Sequence, residues 1–220
     1  MEKHQSRDDL IAALTADMTP VRRVRPRDGA AMIVCATLAA GIACVMYYGF
    51  WFGALTGEAS PFYWISNGLL GVVGVASTAA LVASANPRIG QRTSASQWST
   101  AILAVLPIAA MITLISIEAG HDHGMGMDDP GLLYWKCAAR GLAASSVIAL
   151  AGIWHLRRGA PVSLERAGWL IGLSSGALGA LAYNITCPLD SLLHIGFWHV
   201  TPAFIGAIFW RFAAPPLIRW

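Results

Sequence analysis

The sequence predicts an all-α integral membrane protein, a six-helix bundle with a short cytoplasmic N-terminal amphipathic helix. Three observations carry that prediction. Hydrophobic residues make up 56% of the chain and charged residues 12%, about half the charged share of soluble domains, and the mean hydropathy is +0.56. Six windows, about 30–52, 62–85, 99–119, 132–156, 166–186 and 190–212, are continuously apolar and near the roughly 20 residues that a helix needs to cross the hydrocarbon core. Thirteen of the fifteen Lys and Arg residues fall on one side when all six windows span. No window alternates with a period of two, so helices rather than strands are expected.

Residues 1–29 read as a cytoplasmic tail and residues 30–220 as the membrane domain. In the tail, Leu10, Leu14 and Met18 recur every four residues with Ile11 beside them, an apolar stripe on a short helix over 7–18. Ser6 is the expected N-cap, Asp8 and Asp9 suit the positive end of the helix dipole, and Thr19-Pro20 ends the helix. Two readings of the stripe stand side by side. It lies on the lipid headgroups, or it inserts into a groove on a soluble partner.

In the first span, Cys35 and Cys44 face different sides and read as small hydrophobes. Pro107 is expected to kink the third span. In the fifth, Gly168, Gly172 and Gly176 lie on one face, the spacing of close helix packing.

Orientation follows from the basic residues. Lys3, Arg7, Arg22, Arg23, Arg25 and Arg27 precede the first span, Arg88 and Arg92 follow the second, and Arg157, Arg158 and Arg166 follow the fourth. Arg211 and Arg219 close the chain, and only Lys136 and Arg140 lie near the other face. The positive-inside rule places both termini in the cytoplasm. The first 29 residues have no apolar core, so no cleavable signal peptide is expected. The net charge of +3 is then a topology signal rather than a mark of direct nucleic-acid binding. The loops are too short to hold a catalytic domain.

Cys137 opens the fourth span and Cys187 follows the fifth. Their sequence midpoint is residue 162, in the connecting turn, so an antiparallel hairpin brings both to one depth on the exoplasmic side. A disulfide needs Cα atoms within roughly 7 Å; equal depth permits this without requiring it. Lys136, Arg140 and the helix N-terminus favour a thiolate at Cys137. A structural disulfide and a reactive sensor pair are both open readings.

The same face carries metal-like donors. His121, His123, Met125 and Met127 alternate in the third-to-fourth loop, a set suited to copper or a hydrated connector. His194 and His199 stand in the sixth span, His194 four residues after Asp190. They are either possible metal ligands or interhelical hydrogen-bonding groups. No compact zinc motif, phosphate loop or nucleophile elbow occurs.

Several short motifs recur in order. They are Leu14 to Val24 (LTADMTPVRRV), Cys137 opening the fourth span, Tyr183 to Pro188 (YNITCP), Phe197-Trp198-His199, and a terminal PPLIRW. Across essentially the whole chain this pattern resembles the NrsF family of membrane anti-sigma factors. The resemblance implies a bacterial inner-membrane protein, not an enzyme, that holds an extracytoplasmic-function sigma factor on its cytoplasmic side and releases it under exoplasmic oxidant or toxic-metal stress. The family's paired cysteines fall on Cys137 and Cys187, as redox or metal sensors. Leu10, Leu14, Met18, Pro20 and Arg22 are the expected sigma-factor contacts, with membrane lipid the other partner. No cofactor is expected beyond a transient metal ion as signal. The 121–127 loop lies outside the family pattern. Two other classes remain: a metal or small-molecule transporter lined by Asp190, His194 and His199, and a membrane thiol oxidoreductase using the two cysteines.

Overall fold

The computed structural model describes residues 6–16, 24–86, 94–118 and 135–219. These form α1 (Arg7–Ala16), α2 (Pro26–Tyr48), α3 (Gly53–Thr56), α4 (Pro61–Ser84), α5 (Ala95–Leu103), α6 (Val105–Glu118), α7 (Trp135–Leu156), α8 (Leu164–Asn184), α9 (Leu192–His194) and α10 (Thr201–Ile218). A π-helical turn, Ile195–His199, joins α9 to α10.

The helix starts follow local chemistry. The Asp9 N–H donates to Ser6 Oγ at 3.2 Å, so Ser6 caps α1 as expected. Pro26 opens α2, where its missing N–H has no intrahelical partner to lose. Ser60 caps α4, accepting from the Tyr63 N–H at 3.3 Å, with Pro61 next in line. Ser163 caps α8, accepting from the Arg166 N–H at 3.2 Å. The tail helix is described over Arg7–Ala16, the last two residues of its expected range lie outside the described residues, and no residue of α1 is buried.

Among the described residues, four helices are long and apolar enough to cross a membrane: α2, α4, α7 and the composite Leu192–Ile218. The third and fifth expected spans depart from that description for separate reasons. The third is broken, with α5 ending at Leu103 and α6 beginning at Val105. Pro107 can give no N–H to the Leu103 carbonyl, and its ring crowds that oxygen. The interruption at Ala104 falls where the kink is expected, and the Ile108 N–H still reaches the Ala104 carbonyl at 3.3 Å across it. The fifth, α8, is rich in Gly and Ser and starts with Glu165 and Arg166.

That composition matches its place. Fifteen of the 21 residues of α8 are buried, and α8 packs against α10, α7, α4 and α2. A helix enclosed by other helices needs no lipid-facing apolar surface. It needs close approach instead. A Cβ at Gly172 would run into the Gly206 carbonyl and Ala207, and one at Gly176 into the Pro202 carbonyl and Ala203. The glycine face read from the sequence is the contact with α10. The buried Ser174 hydroxyl is satisfied within its own helix, donating to the Ile171 carbonyl at 3.1 Å.

Long-range hydrogen bonds pin the two ends of the bundle. At one end the Trp51 N–H donates to the Ile185 carbonyl at 3.1 Å, the Ser60 N–H to the Asp190 carboxylate at 2.6 Å, and the Asn184 amide to Asn67 Oδ1 at 3.0 Å. At the other, the Asn86 amide donates to the Val24 carbonyl at 3.1 Å, the Ala160 N–H to the Ala85 carbonyl at 3.1 Å, and Arg211 pairs with Glu165. Arg25, Arg27, Arg157 and Arg158 belong to this second end. The first end carries both singled-out cysteines.

Candidate functional site

Four chain segments converge there. Cys137 is the third residue of α7, and Cys187 lies in the link between α8 and α9. His194 ends α9, whose first turn is capped by Ser191 accepting from the His194 N–H at 3.3 Å. His199 ends the π turn.

The π turn makes the cluster. In a regular α-helix, residues five apart point well away from each other. A wider turn brings them closer to one face. Pro202 sits four residues past Trp198 and cannot give it an N–H. The Thr201 hydroxyl takes the Phe197 carbonyl. Both features relax the usual ladder just where the helix widens. His194 and His199 consequently meet, with their Nε2 atoms 2.9 Å apart.

The two sulfurs lie 3.9 Å apart as free thiols. Cys187 Sγ is 3.5 Å from His194 Nε2, and the four donor atoms all fall within 4.8 Å of one another. Relative exposures are 3% for Cys137, 3% for Cys187, 0% for His194 and 2% for His199. The hydrogen bond with Cys137, followed by burial, pushes the Cys187 thiol up, so it holds its proton. The equal depth read from the hairpin is realised.

A polar relay backs Cys137. The Tyr183 hydroxyl donates to Cys137 Sγ at 3.4 Å, and Arg140 donates to that same hydroxyl oxygen at 3.0 Å. The guanidinium also lies 4.5 Å over the Tyr48 ring. Arg140 thus acts on Cys137 through Tyr183, a route that one-turn spacing alone did not reveal. The signal for Tyr183 was its place in the YNITCP motif.

Other sequence candidates go elsewhere. Asp190 holds the start of α4 through the Ser60 N–H and so stands apart from the histidines. Cys35 is exposed, and Cys44 is buried outside the cluster. Leu10 and Leu14 are exposed on α1. Met18, Pro20, Arg22, His121, His123, Met125 and Met127 lie outside the described residues.

The family description "Negative regulator of sigma F" matches residues 14–220. The chain belongs to the NrsF family. The match takes in the whole four-residue cluster and begins at Leu14, so Leu10 lies outside it. The chain is 27% identical over 225 residues to the anti-sigma-F factor NrsF of Caulobacter vibrioides (strain NA1000 / CB15N), covering 97% of this chain and 99% of that protein. It is 27% identical over 166 residues to the probable anti-sigma-F factor NrsF of Azospira oryzae (strain ATCC BAA-33 / DSM 13638 / PS), covering 73% of each. No solved structure matches the chain.

Proposed function

We propose that this NrsF-family protein is a membrane anti-sigma factor without catalytic activity. It sits in the bacterial inner membrane with both termini in the cytoplasm. Residues 1–29 hold an extracytoplasmic-function sigma factor, with Leu10, Leu14, Met18, Pro20 and Arg22 as the contacts. Cys137 and Cys187, on the exoplasmic side, sense oxidant or a toxic soft metal and trigger release. The near full-length similarity to an anti-sigma-F factor carries the reading. Two features support it: α1 offers Leu10, Ile11 and Leu14 to a partner, and the thiols stand close enough to act as a pair.

Oxidation would join the sulfurs, closing 3.9 Å to about 2.05 Å, with two electrons and two protons passing to the oxidant. That motion pulls α7 toward the α8–α9 link. The helix α8 packs along α10 over most of its length, so a shift at one end is carried to the other. A signal moves this equilibrium only by favouring one state.

The test is a detergent pull-down of the intact chain and of a chain lacking residues 1–28, with co-purified soluble proteins identified by mass spectrometry. A sigma factor held by the intact chain alone is the expected result. Its absence from both, without stress, contradicts the reading.

A further inference from the structure

We propose that Cys137 Sγ, Cys187 Sγ, His194 Nε2 and His199 Nε2 form one tetrahedral site for a thiophilic divalent d10 cation, of the zinc and cadmium kind, with both histidines as ligands. The metal-binding claim stands on geometry; its consequence for release rests on the anti-sigma reading.

The edges of the cluster carry the argument. Zinc–sulfur bonds of about 2.3 Å and zinc–nitrogen bonds of about 2.05 Å require tetrahedral edges of about 3.8 Å between sulfurs, about 3.5 Å from sulfur to nitrogen and about 3.3 Å between nitrogens. The corresponding separations are 3.9 Å for the sulfurs, 3.5 Å for Cys187 to His194 and 2.9 Å for the imidazoles. Two of these three edges already fit, and the other three edges of the tetrahedron lie within 4.8 Å. The imidazole edge is short because the imidazoles are hydrogen-bonded to each other.

The charge also fits. A divalent ion with two thiolates and two neutral imidazoles is neutral overall, the form a buried site tolerates best. Two sulfurs and two nitrogens in tetrahedral array suit zinc-like ions rather than magnesium or calcium. Binding sends the two thiol protons to solvent. The proton shared between the Nε2 atoms moves to an Nδ1 position, and His199 Nδ1 has no hydrogen-bond partner among the described residues. Metal therefore leaves the sulfur edge nearly unchanged and opens the histidine edge by about 0.4 Å, spreading the π turn at the head of α10. A disulfide instead closes the sulfur edge, so the two inputs disturb the same cluster through different edges.

The site is tested by titrating the purified full chain, reduced and in detergent, with Co(II) and then Zn(II). One Co(II) per chain, with intense tetrahedral visible bands and sulfur-to-cobalt charge transfer, displaced by one Zn(II), is the expected result. The same spectrum is expected from a chain carrying His121→Ala and His123→Ala. His194→Ala and His199→Ala, each checked for helix content by circular dichroism, should weaken binding more than about a hundredfold, beyond the loss of an outer partner. A weak octahedral spectrum or no binding in the unaltered chain overturns the site, as does full affinity in folded histidine variants. Sigma-factor capture is read on the same metal-free preparation. Capture without a tetrahedral spectrum overturns the site alone; the spectrum without capture supports the site and overturns the anti-sigma reading.

Discussion

The two candidate functional regions of this chain are opposites. The Cys137–His199 cluster is assembled from two helices, a linker and a π turn, and every donor is at least nine-tenths buried. Helix α1 is one local segment with no buried residue. The first is a site whose geometry exists before any ligand arrives. The second is a surface whose apolar groups, Leu10 at 49% exposure and Leu14 at 65%, wait for something to cover them. Substitutions near the cluster should therefore act on folding and signal response together, while substitutions in α1 should act on partner capture and leave the bundle intact.

The largest effect that tests this contrast lies in the support beneath the cluster. Gly172→Leu drives a side chain into the Gly206 carbonyl and should destabilise the bundle by about 3 kcal/mol, the upper range for overpacking. Thermal unfolding in detergent, followed by circular dichroism, measures it. Unaltered stability would mean that α8 is not the tightly enclosed centre.

A smaller effect is expected from Tyr183→Phe, which removes the hydroxyl joining Arg140 to Cys137. The loss should be about 2 kcal/mol, within the range for a hydrogen bond to a charged group, together with a changed rate of Cys137 alkylation in a Cys35→Ser, Cys44→Ser, Cys187→Ser background. Equal rates would remove the relay from the account.

The smallest effect belongs to the tail. Ser6→Ala removes the cap of α1 and should lower helix stability by about 1 kcal/mol, seen as reduced helicity in a peptide of residues 1–28. The melting temperature of the bundle should not change. A shift there would break the separation of the two regions.

Local features were legible in the sequence because they need only neighbours. Ser6 at the start of α1, Pro107 at the broken third window and the glycine face of α8 all follow from backbone chemistry within a few residues. The pairing of Cys137 with Cys187 was legible at one remove, because the turn around residue 162 fixes equal depths on a hairpin. His199 was not placed with them, because a five-residue spacing from His194 points elsewhere on an ordinary helix and only the π turn corrects it. The link from Asp190 to Ser60 spans 130 residues and has no local signal. The window 166–186 reads as a span like the others, and only the packing shows that protein encloses most of α8.

The central claim is that thiol chemistry at one end of the bundle governs partner binding at the other. It is tested by measuring the sigma factor held by the purified full chain before and after addition of Cd(II) or a thiol oxidant, alongside the Cys137→Ser, Cys187→Ser chain. The account predicts release from the unaltered chain and retention by the double variant under both treatments. Equal release from the two chains would contradict it.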